Sequence, residues 1–155
     1  NDSMTIESGN GLSETYVQRS RVMARLIVAS QQVYRAVNEL VRRHDLTESQ
    51  YNALRVLRGA EKRNQELTQA DLAARLIASR ANTTWILDKL EERKLITRRD
   101  HRDRRKNIVE IAPPGQKLLL KIDPEFEAML ESMLGEVPEA ELDTLQATLG
   151  RFRFE

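Results

Sequence analysis

The chain contains 155 residues, of which 40% are hydrophobic and 32% charged, and it carries a formal net charge of +1 and no cysteine. This composition is typical of a soluble globular protein with one core or two small lobes. The lack of cysteine excludes a disulfide framework, a thiolate metal site and a cysteine redox switch. No apolar run reaches the ~18 residues that a membrane-spanning helix needs, and the chain does not start with a signal-peptide core. We therefore expect a cytoplasmic protein with no membrane partner.

The charge is distributed very unevenly along the chain. Residues 93–106 carry a net charge of +6, whereas residues 123–143 contain eight acidic residues and no lysine or arginine. A polyanion attracts the first segment and repels the second. This asymmetry predicts that one part of the protein faces a polyanion and that another part is kept away from it.

The N-terminal third is predicted to form two helices after a polar, disordered tail over residues 1–12. Ser13 is a typical N-cap, and apolar residues follow it at spacings of three and four over about thirty residues. A helix this long spans two lobes or packs against a second subunit. Thr47 and Gln50 fit the capping-box pattern of a second helix, which we expect to end near Gly59.

The middle of the chain contains a pattern typical of a helix-turn-helix. Thr68 and Asp71 form a capping pattern before a short helix, and Ile77-Ala78 breaks the periodicity. Ser79 is then a suitable N-cap for a helix that runs to about Lys94. Residues 95–99 and 107–111 alternate like strands, with a charged hairpin tip between them.

Two further helices follow the hairpin. Pro113-Pro114 fits the first turn of a helix that Gly135 closes, and Pro138 begins the last helix. The predicted fold is mainly α with a small β-hairpin wing. The domains are a winged helix-turn-helix domain over 46–112 and a helical dimerisation region formed by 13–45 and 113–155.

The helix that starts at Ser79 has a core face and a face suited to DNA. Helical spacing places Thr83, Ile86, Leu87 and Leu90 on the core side. An ordinary amphipathic surface helix would explain this pattern equally well, but Trp85 argues against it because a large ring on a polar face needs a partner. The outer face carries short hydrogen-bonding groups and cations, and such groups can enter a major groove. The predicted DNA contacts of this helix are Ser79, Arg80, Asn82, Thr84, Trp85 and Lys89.

The hairpin tip is the second candidate for DNA contact. A charge run alone is usually a solvated loop, but this one lies one strand beyond a helix-turn-helix, where it can reach the adjacent minor groove or its phosphates. Arginine is favoured in a narrow minor groove because the negative potential is strongest there. The predicted wing and phosphate contacts are Arg98, Arg99, Arg102, Arg104, Arg105 and Lys106.

Residues 67–120 resemble the MarR family of bacterial winged-helix regulators. The motifs are Leu67-Thr68-Gln69-Ala70-Asp71-Leu72, Ser79-Arg80, Leu87-Asp88-Lys89-Leu90-Glu91, Leu95-Ile96-Thr97-Arg98, Asp103-Arg104-Arg105 and Gly115-Gln116-Lys117-Leu118-Leu119. The resemblance implies a homodimer on a pseudo-palindromic operator in the bacterial nucleoid, usually a repressor released by a small, often phenolic, aromatic effector. It also implies that Arg104 or Arg105 enters the minor groove and that Asp103 braces the wing.

The chain departs from many members of that family near the bases. Ile77 stands where glycine is common, Ala81 where proline is common, and Trp85 where a polar or basic residue is common. These differences concern the operator sequence rather than the fold. The effector-binding residues cannot be selected from periodicity, because a pocket face and a core face look alike.

Other chemistry is not expected. The two histidines, His44 and His101, are far apart in sequence and lack metal-ligand spacing, so we predict no metal and no cofactor. His44 is expected to lie at the end of the first helix, where a cation suits the helix dipole. No nucleophile motif or phosphate-binding glycine loop is present, so we predict no enzyme. The alternative to DNA binding is a winged-helix protein-interaction module without specific DNA binding.

Overall fold

The computed structural model describes residues 13–76, 80–100 and 107–152, without the side chains of Arg80 and Asp100. The predicted tail, the break at Ile77-Ala78 and the cap at Ser79 lie outside these residues. The fold is mainly helical with a small antiparallel sheet, as predicted. The elements are α1 (Glu14–Arg42), α2 (Glu48–Lys62), β1 (Leu67–Thr68), α3 (Gln69–Leu76), α4 (Arg80–Glu92), β2 (Ile96–Asp100), β3 (Asn107–Ile111), α5 (Pro113–Leu134) and α6 (Glu139–Leu149).

The first two helices begin where the sequence predicts. The Ser13 hydroxyl accepts a hydrogen bond from the Tyr16 amide at 3.2 Å. At the start of α2, Thr47 Oγ1 accepts from the Gln50 amide at 3.2 Å, and Gln50 Oε1 accepts from the Thr47 amide at 3.0 Å. The predicted end of α2 at Gly59 is wrong, because the helix continues to Lys62. A glycine inside a helix costs only about 1 kcal/mol relative to alanine, which packing of the neighbouring residues outweighs.

The sheet has three strands in the order β1-β3-β2. The predicted hairpin is present, with Ile96 opposite Ile111 and Arg98 opposite Val109. The two-residue strand β1 was not predicted, because it is too short to show alternation. It pairs Leu67 with Val109 and so adds a third strand beside β3 of the hairpin.

The core lies between α2, α3, α4 and the sheet, and the end of α1 and the first half of α5 pack against it. The predicted inner face of α4 is confirmed, since Thr83, Ile86, Leu87 and Leu90 are all buried. The start of α5 is fixed against the wing at Gly115, where a Cβ would overlap the carbonyl oxygen of Leu95. The contact requires glycine because the two backbones approach too closely for a side chain.

The helices at the two ends of the chain are exposed along their apolar faces. Most of α1 is exposed, and α6 buries none of its residues. No helix among the described ranges combines the length and apolarity needed to cross a membrane. The large exposed apolar side chains of α1, α5 and α6 are Tyr16, Val22, Met23, Ile27, Val28, Val33, Tyr34, Leu120, Leu130, Met133, Leu134, Leu145 and Leu149.

Candidate nucleic-acid interface

The outer face of α4 presents short polar groups and one large ring to solvent. Asn82, Thr84 and Trp85 are exposed, and 52% of Trp85 is accessible. The preceding helix supports this face, because Gln69 Nε2 in α3 donates to Thr84 Oγ1 at 2.6 Å. The helix is anchored underneath by its buried face, so these groups are held on a rigid element.

Lys89 lies further along α4 and is paired within the helix. Its Nζ lies 2.8 Å from Glu92 Oε2. A helix pair of this spacing is weak, about 0.2–0.5 kcal/mol, so a DNA phosphate could replace Glu92. The DNA contact predicted for Lys89 stays a prediction.

Arg98 connects the wing to α4, which is the helix predicted to enter the major groove and is called the recognition helix below. Its Nη2 lies 2.5 Å from Asp88 Oδ1, and its Nε lies 3.5 Å from Glu91 Oε2. Only 19% of its side chain is exposed. The charge cluster predicts a phosphate contact for Arg98, whereas these two carboxylates of α4 were not predicted. Arg98 therefore holds β2 against α4.

Arg99 points to the other face of the hairpin. Its guanidinium donates to Glu66, in the segment before β1, and its Nε donates to Glu110 Oε1 in β3 at 3.0 Å. These hydrogen bonds, that with Glu66 first, raise the pKa of Arg99. The DNA contacts predicted for Arg98 and Arg99 would compete with these intramolecular pairs.

The structure does not describe all of the residues that were predicted to contact DNA. Ser79 and residues 101–106 are not described, and neither is the side chain of Arg80. The roles predicted for Arg102, Asp103, Arg104, Arg105 and Lys106 therefore stay predictions.

Sequence reasoning missed Arg93, which follows α4 and contacts the turn between α1 and α2. Its Nη1 donates to the carbonyl oxygen of Asp45, and its Nη2 lies 3.5 Å from that of His44. No local pattern links residues so distant in sequence. Asp45 itself adopts a φ of 56°, which turns the chain sharply after α1.

The same turn is bound to α5 from its other side. Glu125 accepts from Arg43 Nη2 at 2.7 Å and from His44 Nε2 at 2.8 Å. The hydrogen bond from Arg43, followed by that from His44, lowers the pKa of Glu125 below its usual range. His44 follows α1 as expected, and its partner is a carboxylate of α5.

A second pair joins α2 to α5. Arg58 Nη1 and Nη2 lie 2.6 Å and 2.9 Å from the two carboxylate oxygens of Asp123. The hydrogen bond from Arg58 holds the pKa of Asp123 below its usual value. This bidentate geometry fixes direction as well as distance.

A cavity of about 480 Å³ lies between the end of α2 and the sheet. Leu57, Ala60 and Ile111 form part of its apolar lining, and Arg99 and Glu110 lie at its polar side. This volume is within the range of small-molecule sites. Among the described residues, no three histidine, aspartate or glutamate side chains are placed to share a metal ion.

Comparison with known proteins finds similarity to one family. The model of the MarR family matches residues 44–106, which include the elements from α2 to β2 and end before β3. The HTH-type transcriptional regulator MhqR of Bacillus subtilis (strain 168) is 26% identical over 132 residues, covering 82% of this chain and 88% of that protein. Residues 44–106 are therefore similar to the MarR family, and the likeness to MhqR extends over most of the chain.

Solved structures of MarR-type proteins share the fold. The S. aureus MepR–DNA complex matches with a TM-score of 0.69 at 23% identity, covering 90% of this chain and 96% of that chain. A MarR-family transcriptional regulator from Rhodococcus sp. RHA1 matches with a TM-score of 0.73 at 22% identity, over 84% of this chain and 91% of that chain. These likenesses extend beyond the matched domain to the helices at both ends.

Proposed function

We propose that this protein is a MarR-type transcriptional regulator, which binds a pseudo-palindromic double-stranded DNA operator as a homodimer. The observation that carries the proposal is the outer face of α4, where Asn82, Thr84 and Trp85 stand exposed on a helix whose opposite face is fully buried. A MarR-family neighbour of the same fold, MepR, is known in complex with DNA. Binding, not catalysis, is the activity that we assign.

Each group on the outer face has a chemical role in the major groove. Asn82 and Thr84 supply hydrogen bonds to base edges, as would Ser79 and Arg80 at the helix start. The Trp85 ring supplies an apolar contact for a thymine methyl group. In the wing, Arg104 or Arg105 would enter the minor groove, braced by Asp103, and Arg102 and Lys106 would contact phosphates.

The apolar faces of α1, α5 and α6 are proposed to form the dimer. Tyr16, Met23, Ile27 and Tyr34 recur at a spacing of four and seven along α1, and all are exposed in the isolated chain. An 11-residue helix such as α6, with no residue buried, gains little stability from its own chain. A second copy of the chain covers these faces and places two recognition helices about one DNA turn apart.

We further propose that the protein is a repressor located in the bacterial nucleoid. A small aromatic effector would bind the protein and release it from DNA. The cavity beside the wing supports this proposal, because it is lined by apolar and polar residues including Arg99 and has the volume of a small-molecule site. An effector must bind the free form more tightly than the DNA-bound form. Titration of phenolic compounds into the protein–DNA complex tests this, and an unchanged affinity with every compound would exclude release by phenols.

The DNA-binding proposal is tested by selecting bound fragments from a genomic pool and then measuring affinity against salt concentration. We expect an enriched palindromic sequence, called the selected duplex below, and an affinity that falls steeply with salt. Arg104→Ala should weaken binding to the selected duplex without changing the dimer mass, whereas Lys117→Ala on α5 should leave it unchanged.

The alternative is a winged-helix protein-interaction module, which the exposed Trp85 would also suit. Such a module would show no measurable affinity for mixed-sequence DNA even at low salt. That result would overturn the DNA-binding proposal.

A further inference from the structure

A continuous chain of hydrogen bonds runs from α5 to the end of the recognition helix. Glu125 on α5 binds Arg43 and His44 at the end of α1. The carbonyl oxygens of His44 and Asp45 in turn receive the guanidinium of Arg93, directly after α4. The turn between α1 and α2 therefore has a helix of the dimerisation region on one side and the recognition helix on the other.

We propose that Glu125 and Arg93 are positioning residues, which set the orientation of the recognition helix relative to the dimerisation helices. This inference rests on the proposed function, because only a dimer that binds two half-sites needs that orientation. Neither residue is assigned a contact with DNA, and both act through the turn that they hold.

The geometry of the turn makes it a suitable connector. His44 is only 16% exposed, so its ring has little freedom to leave Glu125. The turn is also closed by its own backbone, since the Leu46 amide donates to the Val41 carbonyl at 3.1 Å. Arg93 binds backbone carbonyls rather than a mobile side chain. A displacement of Glu125 is therefore passed to α4 through a short, rigid segment.

The end of α4 is the part of the recognition helix that this network controls. The Lys94 amide donates to the Glu91 carbonyl at 2.8 Å, and the Leu95 amide donates to the Leu90 carbonyl at 2.9 Å. Arg98 holds the same end of the helix from the wing side. If Arg93 is released, the end of α4 keeps its contact with Arg98 on the wing side and loses its contact with the turn, so α4 can rotate about its buried face.

The test compares Glu125→Gln, Arg93→Gln and the double variant with the wild type on three DNA duplexes. These are the selected duplex, the same duplex with two base pairs inserted between its half-sites, and a mixed-sequence duplex. Glu127→Gln, on the same helix, removes the same charge from an exposed residue outside the network and is the matched control.

We expect Glu125→Gln and Arg93→Gln each to weaken binding to the selected duplex by about 2- to 30-fold. The ratio of the affinity for the selected duplex to that for the duplex with the insertion should also fall. The affinity for mixed-sequence DNA and the dimer mass should stay unchanged. The double variant should lose no more than the weaker-binding single variant, because both changes break one path. A purely structural role would lower stability without changing the discrimination between spacings.

Amide hydrogen exchange provides a readout that does not depend on DNA. Glu125→Gln should accelerate exchange at the Lys94 and Leu95 amides, whereas Glu127→Gln should not. Unchanged exchange and unchanged spacing discrimination in Glu125→Gln would overturn this inference alone. A wild-type protein that binds no duplex would instead overturn the proposed function.

Discussion

The winged-helix region and the helices at the two ends of the chain differ in how far their apolar side chains are buried. Among the described residues from α2 to β3, Trp85 is the one exposed large apolar side chain, and Leu54, Leu72 and Leu87 are fully buried. In α1 and α6, apolar residues at helical spacing remain exposed. The first region therefore buries its apolar surface within the chain, whereas we propose that a partner surface covers the second.

We expect the largest effect from negative charge introduced on the exposed face of α6. Leu145→Glu with Leu149→Glu should convert the dimer to monomers, because two carboxylates would be buried without partners in the interface. Light scattering measures the mass, and Gln146→Glu on the same helix is the control. A dimer that survives the double substitution would show that the interface lies elsewhere.

Truncation of a leucine to alanine should lower the stability more in the buried region than in the exposed region. Leu87→Ala should lower the free energy of unfolding by about 2–5 kcal/mol, because it removes buried methyl groups and leaves a cavity. Leu130→Ala, at an exposed position on α5, should cost much less in a monomeric background. Denaturant titration of both variants in the Leu145→Glu, Leu149→Glu background makes the measurement, and equal losses would contradict the contrast.

A smaller effect is expected where the wing joins the recognition helix. Arg98→Gln should weaken binding to the selected duplex, because β2 loses its contact with Asp88 and Glu91. If Arg98 acts by holding the wing, the slope of log affinity against log salt stays the same. A direct phosphate contact would instead reduce that slope by about 0.9.

The smallest expected effect concerns the ion pair that joins the two regions. The pKa of Asp123 is lowered by Arg58, so its stabilising contribution is complete above the ordinary aspartate pKa of about 3.9 and is lost as the pH falls through the lowered value. Asp123→Asn should therefore reduce stability at neutral pH, and the difference from the wild type should shrink as the pH falls below about 3.9. Unfolding curves at pH 7 and pH 3 measure it, and a difference that grows in acid would contradict the assignment.

Local signals allowed much of the fold to be predicted. The caps at Ser13 and Thr47 and the inner face of α4 depend on residues within one or two turns of each other, so periodicity and capping patterns reveal them. The end of α2 beyond Gly59 and the strand β1 depend on tertiary packing, which overrides weak local preferences.

The ion pairs of the candidate site were beyond the reach of the sequence. The basic residues of the wing were visible as a charge cluster, but the cluster does not show that Arg98 binds α4 or that Arg99 binds Glu66. Arg93 contacts a turn far upstream, and nothing in its neighbours indicates that partner. Charge patterns predict where cations gather, whereas the fold decides which of them remain available for DNA.

The central claim is that two copies of this chain, joined through α1, α5 and α6, place two recognition helices on one operator. The most direct measurement is the mass of the protein–DNA complex on the selected duplex, together with the half-site spacing in the enriched sequences. The account predicts two chains per duplex and inverted half-sites about one helical turn apart. One chain per duplex, or an enriched sequence without two-fold symmetry, would contradict it.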